Sequence, residues 1–329
     1  MIENKKASIL LVLKVLEDYS DEEHFLTHQN IIDYIDKNYG LTLERKSIAY
    51  SLNLLEELGY DINKSPKGGF ALFSRQFEPS EVTFLYDAIF TSKALSGSDA
   101  KALLEKINKS LSIYQRKRYN CLYKSEEINR TDSKQIFLVL DTIEEAIKQK
   151  KRMSFEYITY DEKGNKILRK NGFRYIVSPY YTINNFGKYY LIANYREKYR
   201  PLQIFRIEYM VNPKIEEDWD YKNMSSLKDV KNFDISKYIN DNLYILDGQV
   251  INAKIEILNK NDIKTVIDFF AQNASFKKEN KKLNAYIRCN ENALFYFLMQ
   301  YTESFIIVSP NSLIERMKSE AKKILEIYK

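Results

Sequence analysis

The sequence holds two cysteines, two histidines, one tryptophan and nine glycines in 329 residues, and each scarcity removes a class of protein. Cys121 and Cys289 lie far apart with no neighbour of their kind, so neither a disulfide framework nor a zinc motif is indicated, and a reducing cytoplasm suits the chain. The histidines, His24 and His28, stand four residues apart. That spacing can serve a metal on a helix, but no third ligand is nearby and the segment reads partly as loop, so no metal is expected there. A glycine-rich phosphate loop is missing, and so is a carboxylate cluster on a recognisable nuclease scaffold. An enzyme reading is therefore unsupported, and no cofactor is expected. Long apolar runs are missing too. The run Ile9 to Leu13 is broken at once by Lys14, Glu17 and Asp18, too short to span a membrane and without a cleavage site for secretion.

What is present suits a soluble protein of several domains. With 44% hydrophobic residues the chain can bury two or three cores and is neither disordered nor fibrous. A net charge of +6, from 51 basic and 45 acidic residues, favours a polyanionic partner only weakly, so the distribution of charge matters more than its sum.

Residues 1–76 read as a winged helix-turn-helix. Ile9, Leu10, Leu13 and Leu16 stand at helical spacing; a second helix follows from Thr27 with Ile31, Ile32 and Ile35 inward. A third helix lies in "LTLERKSIAYSLNLLEELGY", with Thr42 as its N-cap, Gly59 as its stop, and Ile48, Leu52 and Leu55 as its buried stripe. The Ser-Pro-Lys-Gly-Gly turn in "YDINKSPKGGFALFS" marks a β-hairpin, the wing. Lys46, Tyr50 and Asn53 recur at i, i+4 and i+7 on the face opposite the stripe. Their side chains can meet base edges, a thymine methyl or a phosphate, while Lys64 and Lys67 on the hairpin can neutralise flanking phosphates. Against this, residues 1–75 carry nine Lys or Arg and twelve Asp or Glu, a net of −3, with the acids gathered in "EDYSDEEH" and "LEELGYD".

Residues 77–132 read as a helical linker or dimerisation region, helical to about Arg118. Residues 133–218 begin with one helix, Ser133 to Lys150, and then alternate as short strands: "MSFEYITY", "FRYIVSPYYTI", "KYYLIANY" and "LQIFRIEYM". Such strands suit a small barrel of the Sm or SH3 kind. An acidic, polar connector covers residues 219–245. Residues 246–329 run strand, helix, strand, helix, strand, helix, the order of an α+β sandwich. The fold class is thus multidomain α+β.

Positive charge gathers in the barrel. Residues 146–210 hold fourteen Lys or Arg against five Asp or Glu, a net of +9, which points to an anionic partner. Lys148, Lys150, Lys151 and Arg152 read as a solvated face. Arg174 and Arg206 differ because they interrupt apolar strands, where an arginine needs a carboxylate, a phosphate or an aromatic face. For Arg206 a salt bridge to Glu156 or Glu208 competes with ligand contact. Tyr189 and Tyr190 face opposite sides of one strand, and Tyr190 is favoured for the ligand side. Arginine forks and tyrosine faces together suit a short single-stranded nucleic acid or a nucleotide.

The stretch "GKYYLIANYREKYRPLQIFRIEYM" resembles the core of a WYL domain. Tyr189, Tyr190 and Leu191 stand at the family's Trp-Tyr-Leu triplet, and Phe205 to Tyr209 stand at its Phe-Arg-Leu-Asp-Arg-like run; Arg174 and Pro179 match its Arg-x-x-x-x-Pro strand. Tyr189 replaces the tryptophan, Gln203 stands where many members carry arginine, and Tyr209 replaces the last arginine. "RKSIAYSL" is similar to the pattern Arg-x-Thr-x-x-Arg-Asp-Leu, which adds Arg45 and Ser47 to the expected DNA contacts and puts Tyr50 and Ser51 at the Arg-Asp places. The tail, "SFIIVSPNSLIERMKSEAKKILEIY", resembles the end of the WCX-type domain of such regulators. The resemblance implies a homodimeric regulator that binds double-stranded operator DNA and senses a nucleic acid or nucleotide through Arg174, Tyr190, Arg196 and Arg206, in stress or phage-defence control. The expected dimer contacts are the C-terminal domain and the Pro79 to Arg118 helices. A non-transcriptional accessory module for single-stranded RNA or DNA is the competing reading.

Overall fold

The computed structural model describes residues 7–122, 135–195, 201–228, 230, 233–246 and 248–328. They form two compact units, Met1–Ile136 and Phe137–Lys329.

In the first unit α1 (Ser8–Tyr19), α2 (His28–Tyr39) and α3 (Arg45–Glu57) precede an antiparallel hairpin of β1 (Ile62–Lys64) and β2 (Phe70–Leu72). Their core joins Val12, Val15 and Leu16 to Ile31, Ile35, Ile48, Leu52 and Leu55. The stripe expected on α3 is thus the buried one. The stripe expected on α1 is displaced: Leu10 is 67% exposed, and Leu11, Val12, Val15 and Leu16 face inward. Five consecutive apolar residues leave a helix's phase open, and packing against α2 and α3 decides it. Thr27 caps α2, accepting from the Asn30 amide at 3.1 Å, and the Asn30 side chain accepts from the Thr27 amide at 2.9 Å. Thr42 does not cap α3. Its hydroxyl donates to Asp36 at 2.9 Å, and Glu44 takes the N-cap position. Gly59, at φ +92°, follows the helix as expected. The hairpin turn uses Gly68 and Gly69 in left-handed conformations, and a Cβ on Gly69 would stand 3.2 Å from that of Phe25.

Three further helices complete this unit: α4 (Pro79–Thr91), α5 (Gly97–Asn108) and α6 (Ile113–Leu122). Polar contacts tie the start of α6 to α1 and the turn after it. Ser112 donates to Asp21 at 2.7 Å and Arg116 to Asp18 at 2.6 Å. Burial pushes the Asp21 carboxyl up, but hydrogen bonds from Ser112, His24 and the Glu23 amide outweigh it and hold the group below its ordinary value. The two histidines are engaged in packing here. His24 stacks on Tyr114 at 3.5 Å and bonds Asp21 through Nδ1 at 2.6 Å, while His28 stands edge-on to Phe70 at 4.8 Å.

The second unit opens with α7 (Ile136–Gln149), whose residues Val139, Ile143 and Ala146 are buried. Six strands follow: β3 (Arg152–Tyr160), β4 (Lys166–Leu168), β5 (Tyr175–Asn185), β6 (Lys188–Asn194), β7 (Gln203–Arg206) and β8 (Met210–Glu216). They pair in the order β4-β3-β5-β6-β7, with β8 also on β3, so the sheet curls into a half-barrel. "LQIFRIEYM" is not one strand. It breaks into β7, a 3₁₀ turn at Ile207–Tyr209 and the start of β8, and that turn carries the chain from one edge of the sheet to the other. Phe155, Tyr175 and Phe205 fill the interior, with Phe155 and Phe205 T-shaped at 5.3 Å.

The stretch read as a polar connector packs against the half-barrel. Leu227 and Val230 cluster with Tyr180, and α8 (Ile235–Asp241) brings Ile235, Tyr238 and Ile239 against Ile183, Ile192 and Ile245. Beyond it come β9 (Val250–Ile257), α9 (Ile263–Phe270), β10 (Ala274–Glu279), β11 (Lys282–Asn290), α10 (Glu291–Gln300), β12 (Phe305–Ser309) and α11 (Asn311–Ile327). The expected order omitted β10, an edge strand of mostly exposed residues that gives no apolar alternation. With it the sheet is antiparallel in the order β10-β11-β9-β12, the ferredoxin-like arrangement. Ile255, Ile287, Phe270, Phe297 and Phe305 form its core.

Candidate functional site

Each unit carries one candidate site. In the first, burial of Ile48, Ser51, Leu52 and Leu55 on α3 turns Arg45, Lys46, Tyr50 and Asn53 to solvent. Tyr50 is 70% exposed. Ser47 is half-buried at the margin of this face. Among the described residues, neither Arg45 nor Lys46 has a hydrogen-bond or ion-pair partner for its side chain, so both cations are free to meet an anion. The hairpin lysines differ from each other. Lys64 pairs with Glu56 at 3.3 Å and lies 5.9 Å from the Phe70 ring, whereas the Lys67 side chain is exposed without a partner among the described residues.

In the second unit, a cleft of about 800 Å³ opens between the half-barrel and α8. Strand register sets its central pair, because Tyr190 on β6 lies directly opposite Arg206 on β7 and both line the cleft. The Arg206 backbone amide donates to the Tyr157 hydroxyl at 2.9 Å. Its guanidinium is held on two sides: Nε donates to Glu208 at 3.2 Å, and the group lies 4.8 Å from the Tyr209 ring. Glu208 is buried, and its second oxygen accepts from the Tyr189 amide at 3.0 Å. Of the two competing readings of Arg206, its salt bridge is therefore made, with Glu208 and not Glu156, while the side chain keeps a place on the cleft wall. Burial pushes the Tyr157 hydroxyl up to about 12, so it stays protonated, and among the described residues nothing accepts that proton. Burial also raises Tyr190. Lys237 on α8 adds an exposed cation with no ion pair among the described residues, and Phe233 and Tyr238 add two further rings. Cation, flat ring and hydroxyl donor together can hold a phosphate-bearing, aromatic ligand.

Of the other expected ligand residues, Arg174 is not brought here. Arg174 precedes β5 and lies outside the cleft lining; its guanidinium donates to Ser154 at 2.6 and 3.1 Å and to the Asn212 carbonyl at 3.0 Å, bracing β3 against β8. Ser154 in turn donates to Glu216. Arg196 lies outside the described residues. Sequence reasoning missed Tyr157 as a cleft residue and Lys237 and Tyr238 altogether. The inward phase of "MSFEYITY" could have found Tyr157. No signal marks Lys237, because it sits in a polar stretch whose helix is fixed by long-range packing.

Comparison with known proteins meets this region. The model of the WYL domain family matches residues 138–215, the span of α7 and the curled sheet. Residues 138–215 are thus a WYL domain. No protein of curated function matches it. Among solved structures, proteasome accessory factor B/C (PafBC) of Arthrobacter aurescens aligns at 12% identity with a TM-score of 0.28, over 95% of this chain and 47% of that one. The present chain spans about half the length of that protein. A CRISPR Cas-related protein aligns at 15% identity with a TM-score of 0.38, over 98% of this chain and 84% of that one. The cleft wall formed by α8 lies outside the span matched to the WYL domain. Among the described residues no helix is long and apolar enough to cross a membrane.

Proposed function

We propose that this WYL-domain protein is a DNA-binding regulator of transcription. α1 to α3 with the hairpin act as a winged helix-turn-helix whose α3 enters the major groove of an operator. The observation that carries the reading is the free face of α3, where Arg45, Lys46, Tyr50 and Asn53 stand clear of a fully formed core. The regulator works as a homodimer, since one such helix makes too few base contacts to mark a unique site. Occupancy of the cleft by a nucleotide or a short single-stranded nucleic acid biases the dimer between two geometries, and only a ligand that prefers one of them changes operator affinity. Stress or phage-defence genes are the expected targets of such a switch.

A gel shift on the protein's own promoter region, titrated with and without a short single-stranded oligonucleotide, tests this. The expected result is specific duplex binding that the oligonucleotide alters. Oligonucleotide binding with no specific duplex binding would favour the accessory-module reading instead.

A further inference from the structure

The ferredoxin-like domain has one face with no assigned role. α9, α10 and α11 cover the side of its sheet that carries Ile255, Ala285, Ile287 and Phe305. The other side is open at Ser275, Tyr286, Arg288, Asn252 and Ser309. Strand register arranges it in rows. Ser275, Tyr286, Lys254 and Ser309 stand opposite one another across all four strands, and Arg288 and Asn252 form the next row on the two central strands. A shallow hollow of about 500 Å³ lies over these rows.

The rows hold two cations, one aromatic ring and three short polar side chains, and no carboxylate. The next residue of this face on β9, Glu256, is taken by Lys282 at 2.8 Å, and the acids that balance the two cations reach in from outside the rows. Glu279, at the hairpin end of β10, accepts from Lys254 at 2.6 Å and from the Tyr286 hydroxyl at 3.0 Å, so it fixes the ring's orientation from the side. Asp241, on α8, takes Arg288 through two bonds of 3.1 and 3.0 Å. Tyr286 keeps 37% of its surface in water with its hydroxyl tied down, a flat platform in the middle of the sheet. Lys254 stands 5.5 Å from that ring.

We propose that this open sheet face is a second binding site, for single-stranded nucleic acid, distinct from the WYL cleft. A base stacks on Tyr286; Asn252, Ser275 and Ser309 offer donors and acceptors to base edges, and Lys254 and Arg288 meet the adjoining phosphates through the N–H donors that Glu279 and Asp241 leave open. A four-stranded sheet with an aromatic ring on a central strand is a known solution for unpaired bases, because every base has a face to stack and the backbone runs across the strands within reach of cations. The inference deepens the proposed sensing of nucleic acid but does not need operator binding, so the two fail separately.

The test uses the full chain carrying Arg206→Ala, which removes the cleft arginine, and fluorescein-labelled oligouridine or oligodeoxythymidine of about six nucleotides. Fluorescence anisotropy should show residual binding to one or both probes, and the tighter probe names RNA or DNA as the source. Adding Tyr286→Ala should weaken it about tenfold, Tyr286→Phe should leave it nearly unchanged, and Lys254→Ala should flatten its salt dependence only in part, because Glu279 already neutralises some of that charge. Photocrosslinking should fall on the peptide of residues 282–290. Absence of residual binding, or affinity indifferent to Tyr286→Ala, overturns the proposal. So does a dimer that dissociates on Tyr286→Ala while oligonucleotide affinity stays fixed, since the face would then be an interface between copies.

Discussion

The α3 face and the half-barrel invert what their charge counts suggest. Residues 1–75 are net −3 and residues 146–210 are net +9, yet the arginine and lysine left free on a single helical face belong to the acidic segment. The basic half-barrel commits Arg174 to Ser154 and Asn212, and Arg206 to Glu208 and Tyr209. A net count registers cations without their partners, and an arginine within a curled sheet is stabilised only when its donors are met. Affinity for an anion depends on donors still available, so four exposed side chains on α3 can outweigh two arginines elsewhere that are spent on structure.

The sharpest way to break this comparison is to remove the free face. Lys46→Ala with Tyr50→Ala should abolish specific duplex binding, a loss of about 2–6 kcal/mol if each side chain discriminates by about 1–3 kcal/mol. The melting temperature should stay within a degree or two, because both side chains are exposed and neither touches the core. Gel shifts and thermal melts on the same preparations check both halves. Unchanged operator affinity would remove α3 from the groove.

Arg206→Ala should act on both sides of the comparison. Among the described residues it leaves Glu208, whose side chain is 1% exposed, with only the Tyr189 amide, and the expected cost is about 2–4 kcal/mol in urea unfolding, below a wholly buried pair because the guanidinium is 22% exposed. Glu208→Gln in the same chain should recover part of that stability without restoring oligonucleotide binding in the cleft. Recovery of both together would mean that Arg206 acts only as a brace.

The Tyr157 hydroxyl sharpens the half-barrel side through pH. Its folded value of about 12 lies above its ordinary 10, so the folded state binds the proton more tightly. Stability from this group is complete below about pH 10 and is lost as pH rises towards 12, at most about 3 kcal/mol for a shift of this size. Denaturant unfolding followed from pH 9 to 12 should show that slope in the parent and a shallower one in Tyr157→Phe.

These contrasts explain what the sequence could and could not carry. The α3 stripe was legible because Ile48, Leu52 and Leu55 repeat at helical spacing against polar neighbours, and β3, β5, β6 and β7 were legible by alternation, whereas β4, three exposed residues, and most of β8 were not. The phase of α1 was not, since an unbroken apolar run fits several faces. β10 escaped because an edge strand with exposed lysines has no period-2 signal, and α8 because its burial depends on a partner sheet some fifty residues upstream. At the cleft, Tyr190 and Arg206 came from the sequence, as did a salt bridge of Arg206 with Glu156 or Glu208; the choice of Glu208 depended on a 3₁₀ turn that "FRIEYM" does not announce.

The smallest effect separates a free cation from a committed one within a single hairpin. Lys67 stands at the turn with its ammonium unpaired among the described residues, whereas Lys64, two residues before the turn's proline, is drawn to Glu56 at 3.3 Å. A lysine that meets only a phosphate carries no sequence information, so Lys67→Ala should weaken operator and random duplexes alike and reduce the slope of log K against log salt by about 1. Lys64→Ala should change that slope less, because Glu56 already neutralises part of the charge, and should instead lower stability slightly by loosening β1 from α3. Both slopes come from one series of duplex titrations between low and moderate salt. If Lys67→Ala altered the preference between operator and random sequence while leaving the slope alone, the hairpin would be reading bases, and the free-cation account of this unit would have to give way to direct readout by the wing.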